Sequence, residues 1–378
     1  MNKIKILVDA HVFDGFHQGS RTFLKGLYNQ LALDNFFDIY IAANNFENVK
    51  NQFEFTNNFK FIKLKNKSKL LRLGVEIPYI IWKEKIDYAH FQYISPIVKN
   101  CKFILTIHDV LFLDFKKYFT WKYRQKKYLF CISARNSDIL TTVSEYSRDS
   151  ISQHMKIEQQ KINIITQGID KAYFLNTENR EQAKKKIKKK YGLENIILYV
   201  SRVEPRKNHV FLLKVFLELE LWKKGYSLVF IGDKQALTMN FDAFFYKKYF
   251  KAKSFFHHLQ NVPNNDLISF YRSAEIAIYP SIAEGFGLPP LESGAVQTET
   301  LLSDTTSLSE FTFFEGRFFS PNDKNSLKSK ILAILEKKNQ GKSIKEISTI
   351  IEKKYSWRRS AEEFKQLILN NINNPPGS

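Results

Sequence analysis

Short apolar segments recur along this chain of 378 residues, and each is followed by a stretch with helical periodicity. Seven segments lie in the first half, at residues 4–9, 38–42, 59–64, 89–92, 102–108, 138–143 and 162–165. Five more lie in the second half, near Asn195, Ser227, Phe255, Glu275 and Glu299. Strands that alternate with helices pair in parallel, because each parallel connection needs a crossover. The sequence therefore predicts an α/β protein with two doubly wound domains.

The two series of strands divide the chain into domains. We predict a first domain at residues 1–172 and a second at residues 193–355, and a hydrophobic content of 44% suffices for two separate cores. A lysine-rich run at residues 184–190 indicates a charged linker and a first helix, and we place the linker at residues 173–192. Residues 356–378 are predicted to form a closing helix and a frayed tail.

Neither the cysteines nor the hydropathy of the chain points to export. Cys101 and Cys131 do not make a disulfide framework. Residues 3–8 alternate like a strand, unlike the apolar core of a signal peptide. No apolar run reaches the ~20 residues that a membrane-spanning helix requires. We therefore expect a cytoplasmic protein.

The segment at residues 284–292 has the pattern of a strand–loop–helix corner that binds an anion. An apolar strand precedes it, and we expect the helix to begin near Pro290, since proline suits a first helical turn. Free backbone N–H groups at such a start face an anion, and glycines let the anion approach closely. The predicted anion loop consists of Gly285, Phe286, Gly287 and Leu288.

Two glutamates flank this loop. Glu284 precedes it and Glu292 lies in the following helix. Carboxylates accept hydrogen bonds from neighbouring hydroxyls, so one can hold a hexose and the other a ribose. The same pattern also fits a corner with two solvated glutamates.

Basic residues follow another predicted strand. Arg202 and Lys207 lie in the loop after the strand near Asn195, and such loops gather at the carboxyl edge of a parallel sheet, where ligands bind. Two fixed cations there can stabilise a leaving diphosphate. A solvated basic loop is the alternative. His108 ends a strand in the same way, and either a functional or a satisfied core histidine fits that position.

Taken together and in order, these segments resemble one family, the retaining glycosyltransferases of the GT-B type in family 4, with their Glu-x7-Glu signature. The resemblance covers nearly the whole chain. Its segments are a glycine-rich turn at residues 15–22 and residues 106–109, 142–147, 167–170, 201–208, 231–233 and 284–292.

The resemblance implies two Rossmann-like domains that face a cleft, with the nucleotide-sugar held mainly by the second and the acceptor mainly by the first. It implies that the closing helix crosses back onto the first domain. The implied reaction retains the anomeric configuration and needs no metal. It also needs no cofactor beyond a UDP- or GDP-linked sugar as donor.

The resemblance also assigns residues. Those implied to act in catalysis are His108, Arg202, Lys207 and Glu284. Those implied to bind the donor are Gly19, Arg202, Lys207, Val262, Glu284, Gly285, Phe286, Gly287, Leu288 and Glu292. In this assignment His108 hydrogen-bonds the donor sugar, Gly19 admits the sugar phosphate, and backbone groups near Val262 recognise the base.

The chain departs from the family pattern at two places. Gln297 and Glu299 occupy positions where the family usually has glycine and proline, which puts in doubt the loop after the second glutamate. The first turn contains Gly19 without the more usual Gly-x-Gly, and which group of the acceptor or donor Arg21 meets is left open.

We therefore predict a transferase that moves a hexose onto a lipid-linked or surface-polysaccharide glycan, as in lipopolysaccharide biosynthesis. The stretch at residues 284–292 is most similar to bacterial mannosyltransferases, which favours mannose. A GT-B-type nucleotide-sugar epimerase is an alternative, although epimerases of this shape lack the glutamate pair in this context.

The formal charge of +20 indicates a further partner. Residues 60–72 and residues 116–127 each carry six basic and no acidic side chains, interleaved with aromatic and aliphatic ones. This composition is typical of a segment at an anionic membrane, which predicts peripheral binding to the inner membrane face. Solvated helix faces are the alternative. A nucleic-acid-binding protein would explain the charge but not the ordered motifs, so we expect no nucleic acid partner.

Overall fold

The computed structural model describes residues 3–14, 19–175, 177–233, 241–245, 247–338 and 341–373. Its chain divides into two compact units, one ending at Gly168 and resuming at Tyr355, and one running from Ile169 to Lys354. No helix within these ranges combines the length and the apolar composition needed to cross a bilayer. Most of the predicted glycine-rich turn and the predicted frayed tail, at residues 15–18 and 374–378, lie outside the described residues.

The first unit contains a parallel sheet of seven strands. They are β1 (Ile4–Asp9), β2 (Phe37–Ala43), β3 (Phe59–Lys63), β4 (Tyr88–Gln92), β5 (Lys102–Thr106), β6 (Ile139–Thr142) and β7 (Ile162–Ile164). Their spatial order is β3-β2-β1-β4-β5-β6-β7. The interior strand β1 pairs with β2 and β4, and its Ile6, Leu7 and Val8 are fully buried, as in a strand covered on both faces. The seven predicted strands are confirmed.

Eight helices connect these strands among the described residues. They are α1 (Gly19–Leu31), α2 (Phe46–Lys50), α3 (Lys69–Leu71), α4 (Ile77–Glu84), α5 (Leu111–Asp114), α6 (Trp121–Arg124), α7 (Lys126–Asn136) and α8 (Glu145–Met155). A π-helical segment, Arg72–Glu76, joins α3 to α4 without a break. In α1 the buried residues Phe23, Leu27 and Leu31 repeat every four positions, so one face of the helix covers the sheet.

The second unit contains a parallel sheet of six strands. They are β8 (Ile196–Val200), β9 (Ser227–Ile231), β10 (Phe256–Leu259), β11 (Ile276–Tyr279), β12 (Thr300–Ser303) and β13 (Phe318–Phe319). Their spatial order is β10-β9-β8-β11-β12-β13. Five of them were predicted. The edge strand β13 was not, because two residues are too few to show a period.

The helices of the second unit are α9 (Arg180–Tyr191), α10 (His209–Glu218), α11 (Asn264–Ser273), α12 (Leu288–Ala295), α13 (Lys324–Leu335) and α14 (Ile344–Lys354). The first helix indicated by the lysine-rich run is present as α9, which packs against α11, so residues 180–191 belong to this unit and do not link two units. Ala183 and Ile187, four positions apart, are fully buried, and Lys186 and Lys190 both pair with Asp266. The dense lysines conceal this narrow apolar face in the sequence.

The closing helix α15 (Trp357–Asn373) belongs to the first unit and packs against α1. A Cβ atom on Gly26 would lie 2.1 Å from the Trp357 ring, so only glycine admits this contact. At the far end of the helix, the hydroxyl of Tyr88 donates to Asn371 Oδ1 at 2.9 Å. Lys365 also lies 2.5 Å from Asp34. The last helix is therefore attached to the first unit along its length.

Candidate active site

The loops after β8 and β11 lie side by side at the carboxyl edge of the second sheet, because these strands are neighbours. The backbone N–H of Ile282 donates to the carbonyl oxygen of Arg206 at 2.8 Å and fastens one loop to the other. A short 3-10 turn, Pro205–Lys207, precedes α10 in the first of these loops. This arrangement brings Lys207 to Glu284.

Glu284 lies at the centre of a set of ion pairs. Its Oε1 accepts hydrogen bonds from Lys207 Nζ at 2.5 Å and Ser281 Oγ at 2.7 Å, and its Oε2 accepts from Arg206 Nη1 at 3.3 Å. Burial raises the pKa of Glu284, but the charges of Lys207 and Arg206 and the hydrogen bonds outweigh burial and lower it to about 2. At neutral pH this carboxylate therefore accepts hydrogen bonds and donates none.

Glu204 extends this cluster to Arg202. Its two carboxylate oxygens lie 2.9 Å from Arg202 Nη2 and 2.9 Å from Arg206 Nη2. The cluster thus alternates three cations with two carboxylates and keeps one net positive charge, which favours an anionic ligand. The Lys207 side chain is only 13% exposed, whereas that of Arg202 is 38% exposed.

Helix α12 begins at Leu288, two residues before its predicted start near Pro290. Gly287 caps it with a φ of 111°, and a Cβ atom there would lie 2.4 Å from Leu308 Cδ2. Both its conformation and its packing therefore require glycine. Since Pro289 and Pro290 have no N–H, the backbone donors at this helix start are those of Gly287 and Leu288.

The preceding residues of the loop are held from the opposite side. Gly285 and Phe286 are buried, and the Phe286 ring packs edge-on against Phe311 at 5.8 Å. Ser307 Oγ donates to the carbonyl oxygens of Glu284 at 2.9 Å and Phe286 at 2.8 Å. The anion loop predicted at residues 285–288 is therefore a fixed turn.

Glu292 lies in α12, in a different environment from Glu284. It accepts hydrogen bonds from the hydroxyls of Tyr271, at 2.8 Å, and Tyr173. Burial raises the pKa of Glu292 to about 7, since the tyrosines offset burial only in part and Asp170 raises the pKa further. In the described part of the chain, no lysine or arginine forms an ion pair with Glu292.

The predicted base-recognition position lies at the same edge of the sheet. Val262 is half-buried in the loop after β10, and Gly232 follows the neighbouring strand β9. A Cβ atom on Gly232 would lie 2.2 Å from the carbonyl oxygen of Ser201, so glycine is needed where this loop meets the loop that carries Arg202. No hydrogen bond in the described ranges joins Val262 to the charged cluster.

In the first unit, His108 lies just after β5 at the carboxyl edge of the sheet and is 6% exposed. Its Nε2 lies 2.6 Å from Gln92 Oε1, and its ring packs perpendicular to Phe23, with a centroid distance of 5.1 Å. Burial lowers the pKa of His108 to about 3. The imidazole is therefore neutral throughout the physiological range.

The Gln92 amide sets the tautomer of His108. Its oxygen accepts from His108 Nε2, while its nitrogen donates to His90 Nε2 at 3.1 Å. Tyr28 holds the other nitrogen of His90 at 2.7 Å. His108 Nε2 therefore carries the proton, and the buried Nδ1, which has no partner among the described residues, is an acceptor.

Gly19 begins α1, and a Cβ atom there would meet nothing within 4 Å. No contact in the described structure thus requires glycine at this position. Arg21 in the same turn donates to the carbonyl oxygens of Val12 and Phe13, at 3.3 and 3.0 Å. Arg21 thus holds the 3-10 turn that follows β1.

A family model described as "Glycosyl transferases group 1" matches residues 180–369, and one described as "Glycosyltransferase Family 4" matches residues 35–173. The chain belongs to the group 1 glycosyltransferases. The resemblance inferred from the motifs and the assignment as an enzyme are confirmed.

Two curated relatives are mannosyltransferases by name. The O-antigen chain mannosyltransferase RfbU of Salmonella typhimurium is 26% identical over 281 residues, which are 73% of this chain and 70% of that protein. The serotype-specific mannosyltransferase WbdA of Escherichia coli is 25% identical over 228 residues. That match covers 60% of this glycosyltransferase but only 28% of WbdA.

Solved structures share the fold. Sucrose-phosphate synthase from Thermosynechococcus elongatus superposes with a TM-score of 0.78 at 16% identity, over 98% of this chain and all of that chain. Anabaena HepE in complex with UDP gives a TM-score of 0.72 at 12% identity, over 98% of this chain and all of that chain. The glycosyltransferase thus has the predicted GT-B fold with two Rossmann-like domains.

The departure from the family pattern after α12 has a structural explanation. Gln297 adopts a φ of 62°, the left-handed conformation that glycine adopts without strain. Glu299 pairs with the buried Arg317, whose Nη2 lies 3.1 Å from it. Gln297 therefore keeps a glycine-like turn in this loop, and the charge of Glu299 is neutralised by Arg317.

Some residues of the site were missed by the sequence prediction. Glu204 and Arg206 join Arg202 to Glu284, and the alternating charges of residues 202–207 were the available signal. Gln92 had no such signal, since it only continues an apolar strand. Within the described ranges, no three His, Cys, Asp or Glu side chains are close enough to share a metal ion.

Proposed function

We propose that this glycosyltransferase moves a hexose from a nucleoside diphosphate sugar to a lipid-linked or surface-polysaccharide glycan, with retention of the anomeric configuration and without a metal. The observation that carries the proposal is the charged cluster in which Lys207 and Arg206 hold the Glu284 carboxylate. This cluster adjoins a helix start that can bind an anion.

Arg202 and Lys207 take the diphosphate in this proposal. Phosphate oxygens bind best to fixed cations and N–H donors, and both are present here. The alternating carboxylates hold the cations in place before the ligand arrives, so little reorganisation is needed as charge develops on the leaving group. Gly287 and Leu288 supply backbone N–H groups beside them.

The glutamates take different hydroxyls. Glu284 is ionised, and its Oε2 receives only the longer contact from Arg206 among the described residues, which leaves capacity to accept from a hexose hydroxyl. Glu292 accepts hydrogen bonds from two tyrosines and lies one helical turn after the start of α12 at Leu288. We assign it to the ribose. Neither role requires proton transfer.

We assign His108 to contact with the sugar that is transferred. Its low pKa disfavours a general base, but the unpaired Nδ1 can accept a hydrogen bond from a hydroxyl. In the proposed reaction, the oxygen of the leaving phosphate takes the proton of the acceptor. The protein then acts through positioning and charge stabilisation.

The names of the relatives support mannose and a glycan of the bacterial surface, because RfbU and WbdA are named for mannosyl transfer and O-antigen or serotype. A lipid-linked acceptor would place the enzyme at the anionic inner face of the membrane. The lysine-rich segments at residues 60–72 and 116–127 support such a peripheral, cytoplasmic location.

A donor screen tests the proposal. UDP- and GDP-linked hexoses are offered with a glycan acceptor in the presence of a chelator, and the anomeric configuration of the product is determined. We expect transfer with retention, highest with GDP-mannose, and strongly reduced by Glu284→Gln. Loss of activity with chelator contradicts the metal-free mechanism, and inversion contradicts retention. Conversion of the donor to its epimer without transfer would favour the epimerase alternative.

A further inference from the structure

A continuous helical segment in the first unit carries an exposed apolar stripe. Helices α3 and α4 and the π-helical turn between them run from Lys69 to Glu84. One face packs into the core through Leu73, Ile77 and Ile81. The opposite face exposes large hydrophobic side chains, which we call the apolar stripe: Leu70, Leu71, Val75, Tyr79 and Trp82.

The exposure of this stripe is too great for an ordinary protein surface. Leu70 is 84% exposed and Trp82 is 71% exposed. Single exposed hydrophobic residues are common, but five on one helical face form a patch of the kind that marks a binding surface. A lipid bilayer accommodates such a face, with tryptophan and tyrosine at the headgroup level.

A second set of exposed hydrophobic residues lies on α6 and α7, at Trp121, Tyr128, Leu129 and Ile132. Leu73 in the first segment and Phe130 in α7 are buried in the same core cluster. Residues 60–72 and 116–127, which overlap these two segments, carry basic and no acidic side chains, and that charge favours an anionic partner.

The basic residues at 60–72 attract an anionic membrane less strongly than their number in the sequence indicates. Lys60 is neutralised by Asp38 at 2.8 Å, and Arg72 is buried beside Asp9 at 3.5 Å. Two of the six cations at residues 60–72 are therefore already paired. The remaining lysines lie before or at the start of the helical segment that carries the apolar stripe, a combination typical of an amphipathic segment in an anionic interface.

The basic loop is fixed to the stripe. Glu76, in the π-helical segment, accepts hydrogen bonds from the backbone N–H groups of Lys65 at 2.6 Å and Asn66 at 3.0 Å. The chain before α3 is thus held at Lys65 and Asn66 against the π-helical segment that carries Val75. A preformed surface loses little conformational entropy on binding.

From these observations we propose that the apolar stripe inserts into the headgroup region of an anionic bilayer, with the surrounding lysines on lipid phosphates. The inference rests on the membrane partner in the proposed function and adds the surface that inserts. It requires part of the binding to survive high salt, because apolar burial is not screened.

Vesicle binding at about 1 M salt, where the Debye length is about 3 Å, separates apolar from electrostatic attachment. The variant Leu70→Ser with Val75→Ser and Trp82→Ser should lose at least about tenfold in binding to phosphatidylglycerol vesicles under these conditions. Lys122→Glu with Lys126→Glu should instead weaken binding mainly at low salt. Phe250→Ser is the matched control, since Phe250 is equally exposed, at 71%, in the second unit.

Brominated lipids provide a measurement that does not depend on the folding of the triple variant. In Trp121→Phe, Trp82 is the most exposed of the remaining tryptophans, and vesicles with brominated acyl chains should quench its fluorescence. Absence of quenching, or equal high-salt binding by the triple variant and the wild type, overturns insertion. Capture of a soluble protein by the stripe in place of vesicles would also overturn it.

Activity on a water-soluble glycan acceptor separates this inference from the proposed function. The stripe variant should retain that activity while losing activity on a lipid-linked acceptor in vesicles. If vesicles bind the wild type at high salt and quench its fluorescence, but it transfers no hexose to either acceptor, the proposed function fails and insertion stands. If it transfers hexose to the soluble acceptor but never binds vesicles, insertion fails and the proposed transfer of a hexose stands.

Discussion

Two pairs of neighbouring strands, β4 with β5 in the first unit and β8 with β11 in the second, accommodate buried polar groups at their carboxyl ends in opposite ways. In the first unit, His90, Gln92 and His108 form a network without charge, and burial lowers the pKa of both histidines to about 3. In the second unit, Lys207 and Glu284 are charged although both side chains are largely buried. The side chains beside β4 and β5 thus form a network without charge, and those after β8 and β11 form an ionic cluster, while the first sheet also carries the buried Asp9–Arg72 pair at the end of β1.

The difference lies in the partners that each sequence supplies. Glu284 stays ionised because Lys207 and Arg206 contact it directly. Glu292, seven residues later, has hydroxyl partners, and burial raises its pKa to about 7. Charge persists at a buried position only where a countercharge comes with it. We assign the diphosphate to a cluster whose charges are held in place in advance, as electrostatic catalysis requires.

The largest effect is expected from the charged cluster. Arg202→Ala and Lys207→Ala should each reduce turnover by about 100-fold or more, since each removes a charge-stabilising group. Their effects on stability should differ. Arg202 is partly exposed, so its loss should leave the unfolding midpoint nearly unchanged, whereas loss of Lys207 leaves the Glu284 carboxylate with a single cation. Removing one partner of a fully buried pair costs roughly 3–5 kcal/mol, and the partial exposure here lowers that figure.

A second substitution distinguishes stability from function at the same site. Adding Glu284→Gln to Lys207→Ala should restore much of the thermal stability, because it removes the unpaired carboxylate, without restoring turnover. Steady-state kinetics and thermal unfolding of Lys207→Ala, with and without Glu284→Gln, measure both effects. Wild-type turnover in the double variant Arg202→Ala with Lys207→Ala would remove these residues from the active site.

A smaller effect is expected from the neutral network of the first unit. His108→Ala should lower turnover more than donor affinity, and the wild-type enzyme should show no acid limb from His108 above pH 5, since its pKa is about 3. Gln92→Leu removes the oxygen that accepts from His108 Nε2, so the proton is no longer fixed on that nitrogen. Turnover should then fall by roughly 10- to 100-fold. Imidazole nitrogen NMR shifts report the tautomer directly, which a purely structural defect would not change.

Gln92→Glu supplies the matched control. A carboxylate still accepts from His108 Nε2, so the tautomer is kept and most of the activity should be kept at alkaline pH. Its charge stabilises the imidazolium, so the pKa of His108 rises and an acid limb should enter the pH profile. Identical pH profiles for this variant and the wild type would show that the reaction does not depend on the charge of His108.

The sequence predicted the strands and the corners better than the contacts between them. Alternation of apolar segments located the strands, since that signal is local. The same lysines that indicated a linker and a first helix hid the buried face of α9, where only Ala183 and Ile187 are fully buried. Local patterns therefore located the elements, while a narrow apolar face carried too little signal.

The candidate site was predicted in part for a related reason. Residues within one loop, such as Arg202 and Lys207, share a pattern that can be recognised in the sequence. Tyr173 reaches Glu292 from a distant part of the chain, and Gln92 reaches His108 from another strand. Such contacts depend on strand order, which the periodicity of a sequence does not contain.

The smallest effect on stability is expected at Glu292. It tests whether a buried carboxylate with hydroxyl partners and no cation takes up a proton, as its raised pKa indicates. Because its pKa is raised from 4.5 to about 7, the folded protein holds a proton that the unfolded chain releases. Stability should therefore fall as the pH rises from about 4.5 through about 7. Glu292→Gln should remove that part of the fall, which thermal unfolding across this range measures.

Calorimetry with a bare nucleoside diphosphate gives the functional half of the test. If the ionised Glu292 holds the ribose, affinity should rise several-fold as the pH increases through about 7. Glu292→Gln should show weak binding without that rise, since an amide accepts ribose hydroxyls less strongly than a carboxylate. Glu284→Gln should leave the affinity for the bare nucleotide nearly intact, because its assigned hydroxyls belong to the absent sugar. Equal losses for both variants would show that the two glutamates share one role, although their environments differ.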